Sequence, residues 1–350
     1  MNKIVITTGY MGSGSSAATD LISEFRGYDF NNGDFEFVLL HCPDGLFDLE
    51  DKLLLGNTAI RSDEAIHRFL ECAKTLYDTK NYWPGMYKKR VSTSFFDITS
   101  KFVDSICDFK FDESVYWYYQ QLPDGICLQL KNYGNRIVSK LFKKNAKPVL
   151  KYKQMFVSYP ESDDFYKASR VYLSELYSLL GYDKHNLLLD QFLLPHNLYR
   201  IDRYFDSNVR VIVVDRDPRD VFVLNKYVWL KNNCPVAFPL DVEDFCRYYK
   251  KMRNAEKTSE DSRILRLHFE DMIYRYEDTL TRIYDFLDVG SVDHIHFKEK
   301  FKPEVSINNT QLFKRLNNVE NEVKIIEKEL PNYLFEFPDG MALENANNYF

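Results

Sequence analysis

Hydrophobic and polar positions follow one another along the chain in blocks that predict short strands, each leading into a helix. Residues 4–6 are apolar and lead to Gly9, and apolar residues then recur at helical spacing from Ala17 to Phe25. Comparable apolar runs, each before a helical pattern, lie at 187–189, 209–214 and 264–267. The second of these is almost continuous Val and Ile, which is typical of a parallel strand covered on both faces. The pattern predicts an α/β fold, a doubly wound parallel sheet flanked by helices, with ligands at the carboxyl ends of its strands.

The same patterning predicts what surrounds this sheet. The apolar segment 35–41 is expected to be a further strand, followed by the turn Pro43-Asp44-Gly45. From residue 46 to 180 the pattern is mostly helical, most clearly over 165–180, so we expect a large helical insertion that serves as an acceptor lid. Residues 1–350 are predicted to form a single domain with an irregular, peripheral tail over 331–350.

The composition is that of a globular protein without general affinity for nucleic acid. Apolar residues make up 45% of the 350 and charged residues 28%, with only 13 Gly and 12 Pro, which excludes a disordered or collagen-like chain. Lys and Arg number 46 against 52 Asp and Glu, so the formal charge is −6. A nucleic-acid coat needs the opposite balance. We expect no nucleic-acid partner, and any anion-binding site must be local.

Cysteine spacing and hydropathy predict a soluble, cytoplasmic protein without a metal site. The six cysteines form no C-x-x-C pair and have no nearby histidine pair at zinc spacing, so reduced thiols are expected. The N-terminus lacks the apolar core of a signal peptide, and no apolar run approaches the ~18 residues of a membrane span.

The first strand-to-helix loop, residues 9–16, is a candidate phosphate site. It reads Gly-Tyr-Met-Gly-Ser-Gly-Ser-Ser, a G-x-x-x-x-G frame with Ser15 and Ser16 where a P-loop NTPase has Lys and Ser or Thr. Small residues let backbone N–H groups turn towards an anion, and the next helix adds the positive end of its dipole. The alternative is a glycine-rich turn that binds nothing, but the position at the N-terminal βα junction favours phosphate.

The segment 209–221 offers a second anion site. Asp217 suits an N-cap and Pro218 the first helical position, so a helix is predicted to begin directly after the strand. Arg216 would then project from the strand's carboxyl end into the crevice shared with the first loop, where its planar guanidinium suits a phosphate monoester. The alternative is that Arg216 and Arg219 only pair with neighbouring aspartates. The combination with the first loop favours two phosphate sites in one crevice.

These segments resemble the PAPS-dependent sulfotransferases, whose donor is 3′-phosphoadenosine 5′-phosphosulfate. Residues 13–16 resemble the family's 5′-phosphosulfate loop and Arg216-Asp217-Pro218-Arg219-Asp220-Val221 its 3′-phosphate motif, while 267–272 and 283–287 resemble the pattern that follows it. The resemblance covers residues 3–26 and 187–287 and identifies the chain as a bacterial, carbohydrate-type member. It implies a P-loop-like sheet and metal-independent, in-line transfer of the sulfuryl group of PAPS to a hydroxyl of a glycan or lipid-linked sugar.

The sequence departs from the family at several positions. Gly12 and Gln191 stand where the family has basic residues, and Leu224 replaces a serine on the 3′-phosphate, with Asn225 beside it as a substitute. The segment 301–309 is expected to take the place of the family's C-terminal R-K-G loop. The resemblance then implies these donor-binding residues: Tyr10, Met11, Gly12, Ser13, Gly14, Ser15, Ser16, Arg216, Asn225, Ser306 and Asn308.

Sulfuryl transfer needs a base that takes the proton of the acceptor hydroxyl. Polar residues near predicted strand ends supply three candidates, Asp190, His196 and His41, and Gln191 is a further catalytic candidate beside them. Each of the three, taken singly, is more often a strand-ending or capping residue. The sequence leaves open which of them is the base.

The insertion contains candidate contacts for the acceptor and for a membrane. Tyr116-Trp117-Tyr118-Tyr119 and Trp83 have faces suited to a sugar ring, although an aromatic core is the commoner role. A lysine cluster could attract an anionic acceptor or lipid headgroups and hold the protein at the inner face of the membrane, although a solvated helix face is the commoner explanation. Its members are Lys140, Lys143, Lys144, Lys147, Lys151 and Lys153.

Two other functions remain open at this point. Residues 187–190 and 212–215 each form an apolar run plus Asp, as in the Mg²⁺-binding strand of a P-loop kinase, but Ser15 replaces the kinase loop lysine. A non-catalytic nucleotide or glycan binder is the other alternative, favoured by Gly12 and Gln191.

Overall fold

A computed structural model describes residues 2–28, 35–80, 84–115, 125–142, 152–257 and 260–338. The chain divides into two compact units, Met1–His41 with Tyr177–Phe350, and Cys42–Leu176. The predicted arrangement of one domain with an insertion at 46–180 stays a prediction.

The regular elements are as follows. The strands are β1 (Ile4–Gly9), β2 (Phe109–Val115), β3 (Tyr152–Val157), β4 (Leu187–Asp190), β5 (Val209–Asp215) and β6 (Ile264–His268). The α-helices are α1 (Ser15–Ile22), α2 (Leu46–Leu54), α3 (Ala59–Asp78), α4 (Tyr87–Arg90), α5 (Phe95–Ile106), α6 (Gly125–Phe142), α7 (Ser162–Leu179), α8 (Ile201–Tyr204), α9 (Pro218–Val223), α10 (Val242–Asn254), α11 (Asp271–Tyr274), α12 (Tyr276–Leu287), α13 (Pro303–Ser306) and α14 (Glu320–Glu329). A π-helical turn spans Leu224–Trp229, and 3₁₀ turns span Pro195–Arg200, Ser291–Asp293, Ile307–Asn309, Leu312–Lys314 and Pro331–Tyr333.

The first unit contains a parallel four-stranded sheet in the order β4-β1-β5-β6. Every residue of β1 and β4 is buried, and β5 is buried except at Arg210 and Asp215, as expected for strands covered on both faces. Helices α1 and α12 pack on the sheet through a core that includes Leu21, Ile212 and Ile283. The predicted α/β fold, a parallel sheet flanked by helices, is confirmed. Because β1 lies between β4 and β5, the loop after β1 opens at a switch point of the sheet, where ligands bind in such folds.

Residues 35–41 do not form the predicted strand. The Phe37 N–H donates to the Asp190 carbonyl at 2.9 Å, but the His41 N–H turns back to the Val38 carbonyl at 3.1 Å. The apolar run is buried because it packs beside β4, while its backbone forms a turn and not a strand ladder.

The second unit is less purely helical than predicted. Helices α2 to α7 accompany an antiparallel pair of strands, β2 and β3. The sequence of β2 starts Phe-Lys-Phe-Asp, an alternation of apolar and polar residues with the period of a strand. Helix α7 begins at Ser162, three residues before the predicted start of the clearest helical pattern.

The tail was predicted to be peripheral, but its first part, residues 331–338, packs against the rest of the unit. Leu330 and Phe335 are buried, and the Phe335 N–H donates to Asp217 Oδ2 at 2.9 Å. The remainder of the predicted tail lies outside the described residues. Within the described ranges, no helix is both long and apolar enough to cross a membrane, and no group of His, Cys, Asp and Glu could hold a metal ion.

Candidate functional site

The loop after β1 is shaped by two glycines with left-handed backbone. Gly12 has φ 79° and Gly14 φ 88°, and the Ser13 N–H donates to the Tyr10 carbonyl at 2.8 Å. Gly14 is the N-cap of α1 and has no side chain to bond the first helical N–H groups. A Cβ at Gly14 would lie 2.6 Å from the Phe269 ring, so the backbone can approach β6 this closely only with glycine.

Arg216 joins this loop to the end of β5. Its side chain is only 4% exposed, its Nη1 donates to the Gly12 carbonyl at 3.0 Å, and its Nη2 donates to the Asn309 carbonyl. The guanidinium lies over the Phe269 ring, 4.9 Å from its centroid. Arg219, in contrast, pairs with Asp217 at 2.7 Å and with Glu327 at 2.8 Å. The alternative of pairing between neighbours therefore describes Arg219, whereas Arg216 faces the loop.

Asp217 and Pro218 behave as predicted. The Asp217 side chain accepts the Arg219 N–H at 2.8 Å, and Pro218 occupies the first turn of α9. This capped helix begins directly after β5, so it fixes the point from which Arg216 projects.

Two buried polar atoms beside the loop have no hydrogen-bond partner within the described residues. They are Ser13 Oγ and Arg216 Nε. Buried polar groups in native proteins are almost always bonded, so two unpaired groups in one crevice indicate a missing partner. An N–H and a hydroxyl group are both donors to phosphate or sulfate oxygens, and the residues present therefore fit an anionic donor group.

Two buried carboxyls stand near Arg216. Burial raises the pKa of Asp220 to about 7 and that of Glu270 to about 8, and in both cases the charge of Arg216 counters part of the effect. Asp220 accepts backbone N–H groups of Gln311 and Leu312 at 2.8 and 2.7 Å. Because both pKa values lie at or above neutrality, the pair does not fully cancel the charge of Arg216, which leaves attraction for an anion.

Gln191 connects the end of β4 to the loop. Its Oε1 accepts from Thr8 Oγ1 at 3.1 Å, and its Nε2 donates to Ser15 Oγ at 2.8 Å. Its backbone is left-handed, with φ 58°, and its carbonyl accepts from His41 Nε2 at 2.8 Å. A neutral amide therefore takes a fixed place beside α1, where the resemblance implies a lysine.

The three candidate bases have different surroundings. The ring of His41 is bound by the backbone, and burial lowers its pKa. His196 Nε2 bonds the Met252 carbonyl at 3.0 Å, and its ring meets the edge of Tyr10 at 5.9 Å. The pKa of Asp190 is raised to about 7, first by burial and then by the charge of Glu36. Asp190 Oδ1 also has no hydrogen-bond partner within the described residues.

Glu36 is a residue that the sequence interpretation missed. It is half-buried, and burial raises its pKa to about 7. The signal was present, since Glu36 is the one acidic position in the apolar run 35–41. Its charge contributes to the raised pKa of Asp190, and both carboxyls have pKa values of about 7.

A charged cluster around Tyr10 was also missed. Arg253 stacks on the Tyr10 ring at 4.1 Å and pairs with Asp215 at 2.5 Å. The Tyr10 hydroxyl donates to Glu256, which also pairs with Arg266. These residues are far apart in sequence, and they hold Tyr10 at the carboxyl end of β5.

The remaining predicted donor residues are placed differently. Met11 and Ser16 are exposed. Asn225 is fully buried, and its amide bonds the backbone of residues 237 and 238 at 2.8–3.1 Å, so the structure gives it a structural role in place of the expected phosphate contact. Ser306 and Asn308 are half-buried near Asn309, whose carbonyl binds Arg216. Arg315, which the sequence did not single out, donates to the Asn308 carbonyl at 2.9 Å.

Most of the predicted acceptor residues lie outside the described part of the chain. This holds for Trp83, Tyr116–Tyr119 and Lys143–Lys151, and for the side chain of Lys153. Lys140 is described and is exposed on α6.

Residues 127–293 match the model of the sulfotransferase family. This part of the chain is similar to the sulfotransferases. The match contains Gln191, Arg216 and the end of β6, and it extends into residues 127–186, which the sequence resemblance left unplaced. It does not contain the first loop, whose assignment therefore depends on its geometry. No curated protein matches the chain.

Three solved structures similar to this chain are sulfotransferases. The sulfotransferase domain of the curacin biosynthetic pathway is 13% identical, with 97% of this chain and 99% of that domain covered and a TM-score of 0.41. The sulfotransferase domain of the Synechococcus PCC 7002 olefin synthase is 13% identical, with 96% of each chain covered and a TM-score of 0.39. Sulfotransferase STF1 of Mycobacterium tuberculosis H37Rv is 8% identical, with 89% and 77% covered and a TM-score of 0.31.

Proposed function

We propose that this protein transfers the sulfuryl group of PAPS to a hydroxyl of a glycan or lipid-linked sugar. The match of residues 127–293 to the sulfotransferase family supports sulfuryl transfer as the reaction class. The observation that carries the donor assignment is Arg216, a buried cation bound to the Gly12 carbonyl beside the unpaired Ser13 hydroxyl. A donor with phosphate groups at both its 5′ and 3′ ends matches this pairing of a helix-terminal loop with a separate arginine.

In this proposal the residues of the crevice have distinct tasks. The loop 12–16 and the N-terminus of α1 bind the 5′-phosphosulfate, and Arg216 binds the 3′-phosphate. The Gln191 amide keeps the Ser15 hydroxyl oriented in the loop. The carboxyl pair of Asp190 and Glu36, with pKa values near 7, serves as the base, because a base works best when its pKa lies near the working pH.

The kinase alternative is less well supported by the same geometry. Asp215, one of the two aspartates that could hold Mg²⁺, forms an ion pair with Arg253 at 2.5 Å. Ser15, at the position of the kinase loop lysine, is bound to Gln191. The loop therefore has no lysine to bind the β- and γ-phosphates of a nucleoside triphosphate.

The acceptor class is proposed from the composition of the second unit. Its sequence is rich in Tyr, Trp and Lys, which offer flat faces to sugar rings and charge to phosphate-bearing carriers. A phenol would need a much smaller enclosing surface. An extended polar acceptor is therefore the better match.

Titration calorimetry with the wild type and the Arg216→Ala variant tests the donor assignment. The wild type should bind the product PAP more tightly than ATP with Mg²⁺, and the variant should lose about 1.5 to 3 kcal/mol of PAP binding, the range for a charge-assisted hydrogen bond. Adenosine 5′-phosphosulfate, which lacks the 3′-phosphate, should bind both proteins nearly equally. If ATP with Mg²⁺ binds as tightly as PAP, the kinase function becomes the better assignment.

The acceptor class is tested by incubating the protein and radiolabelled PAPS with either a cell glycan extract or a panel of phenols. Label that appears only on the phenols would contradict the glycan assignment.

A further inference from the structure

Helix α6 in the second unit presents an apolar stripe to solvent. The stripe residues recur at spacings of four and three, which places them on one face of the helix. They are Ile126, Leu130, Tyr133, Ile137 and Leu141. Their exposed fractions include 72% for Leu141, 69% for Ile126 and 66% for Leu130. A continuous apolar stripe of this kind on a surface marks an interaction site, because leaving it in water is unfavourable.

The charges of α6 indicate what covers the stripe. The helix has 18 residues and no Asp or Glu, and Lys131, Arg136 and Lys140 are all exposed. Arg136 and Lys140 each follow a stripe residue by three positions, so they flank it on the helix surface. The sequence continues with Lys143, Lys144, Lys147 and Lys151. This local positive charge belongs to a chain whose net charge is −6, and it complements an anionic surface.

We propose that α6 is an interfacial helix that binds the surface of a bilayer containing anionic lipids. The stripe enters the boundary between headgroups and acyl chains, and the long Lys and Arg side chains reach outwards to the lipid phosphates. The helix lies in the plane of the membrane and does not cross it. The argument uses only α6 and does not depend on the proposed donor chemistry.

Vesicle co-sedimentation separates the charge and apolar contributions. The full-length wild type should sediment with vesicles of phosphatidylcholine and phosphatidylglycerol, and much less with phosphatidylcholine alone. Each cation near an anionic surface contributes about fivefold to binding, so Lys131→Glu/Arg136→Glu/Lys140→Glu should bind at least about a hundredfold more weakly. Lys74→Glu/Lys89→Glu/Lys101→Glu changes three exposed residues of the same unit by the same charge and should bind nearly as the wild type.

The apolar stripe has its own matched pair of variants. Leu130→Asp/Ile137→Asp should abolish sedimentation, whereas Leu55→Asp/Val171→Asp, which alters two exposed apolar residues elsewhere in the unit, should not. A Tyr133→Trp variant should add a blue-shifted emission component on anionic vesicles. Circular dichroism confirms that each variant is folded.

Three results would overturn the proposal. The first is equal binding to both kinds of vesicle, and the second is loss of binding in the control variants to the same extent. The third is a wild-type dimer in sedimentation velocity that Leu130→Asp/Ile137→Asp converts to a monomer, since the stripe would then be covered by a second copy of the chain.

Discussion

At the scale of single residues, the proposed base consists of two carboxyls, Asp190 and Glu36, of which the sequence predicted only the first. Asp190 was found because it ends a strand, whereas Glu36 interrupts an apolar run that the sequence assigned to a strand. In the structure the charge of Glu36 contributes to the raised pKa of Asp190. Burial is the main cause that raises both pKa values to about 7, so either carboxyl can accept a proton from a hydroxyl near neutral pH.

Substitution of this pair tests its role as the base. Asp190→Asn and Glu36→Gln should each leave PAP affinity nearly unchanged, and at least one should lower kcat, the pattern of a group that acts in the transition state. The wild-type kcat/KM should rise with pH through about 7, since the base must be ionised to act. His196→Gln serves as a comparison. If both carboxyl variants retain wild-type turnover, the base lies elsewhere.

The buried carboxyl of Glu270 should make the free energy of unfolding decrease as the pH rises. Its pKa is raised from 4.5 to about 8, so the fold favours its protonated form. Its contribution to stability is complete below about pH 4.5 and is lost as the pH rises through about 8. Glu270→Gln keeps an acceptor for the Asp217 N–H at 3.0 Å without this titration.

Urea unfolding of wild type and Glu270→Gln at several pH values measures this effect. The stability of the variant relative to the wild type should grow with pH by on the order of 1.4 kcal/mol per pH unit inside that window. An exposed substitution, Glu320→Gln, should follow the wild type. A constant difference between Glu270→Gln and wild type at all pH values would contradict the buried titration.

At the scale of elements, the pattern of apolar residues and helix caps predicted the strands and the helix start that depend on neighbouring residues in the sequence. The runs at 187–190, 209–215 and 264–268 are strands as expected, and the cap Asp217 with Pro218 begins α9. The first two runs are almost fully buried, whereas the third is mostly half-buried at the edge of the sheet. The run 35–41 is equally apolar, yet it forms a turn, because strand pairing depends on long-range neighbours that the sequence does not reveal. The contacts of Arg216 with Gly12 and of Arg253 with Asp215 could not be predicted for the same reason, because they join residues that are distant in the chain.

Gly14 tests the junction between the loop and α1. In Gly14→Ala the Cβ would occupy left-handed backbone, at a cost of about 1 to 2 kcal/mol, and would also displace the Phe269 ring that supports Arg216. Both the unfolding free energy and PAP affinity should fall, as measured by urea denaturation and calorimetry. Gly134→Ala in α6 is the matched control. Its Cβ meets open space, and the stability of the helix should increase by about 0.5 to 1 kcal/mol. Unchanged PAP affinity in Gly14→Ala would contradict the role of this loop.

At the scale of the whole molecule, the two proposals belong to different units of the chain. The donor residues Gly12, Ser13 and Arg216 lie in the unit formed by 1–41 and 177–350, and α6 lies in the unit 42–176. Sequence motifs suggested the first proposal and a lysine cluster suggested the second, but the apolar stripe of α6 became apparent only from the exposed fractions of its residues in the structure. A chain with net charge −6 would not approach an anionic membrane without such a local basic region.

This separation predicts that donor binding and membrane binding can be lost independently. Arg216→Ala should lose PAP affinity in calorimetry and still sediment with phosphatidylglycerol-containing vesicles, because its change is confined to a buried cation in the first unit. Lys131→Glu/Arg136→Glu/Lys140→Glu should lose vesicle binding and retain wild-type PAP affinity. If the triple variant also loses PAP affinity while remaining folded, the basic residues of α6 contribute to the donor site, and the interfacial assignment must be replaced. If Arg216→Ala loses vesicle binding, the anionic lipid is held in the crevice beside the first loop instead of on α6.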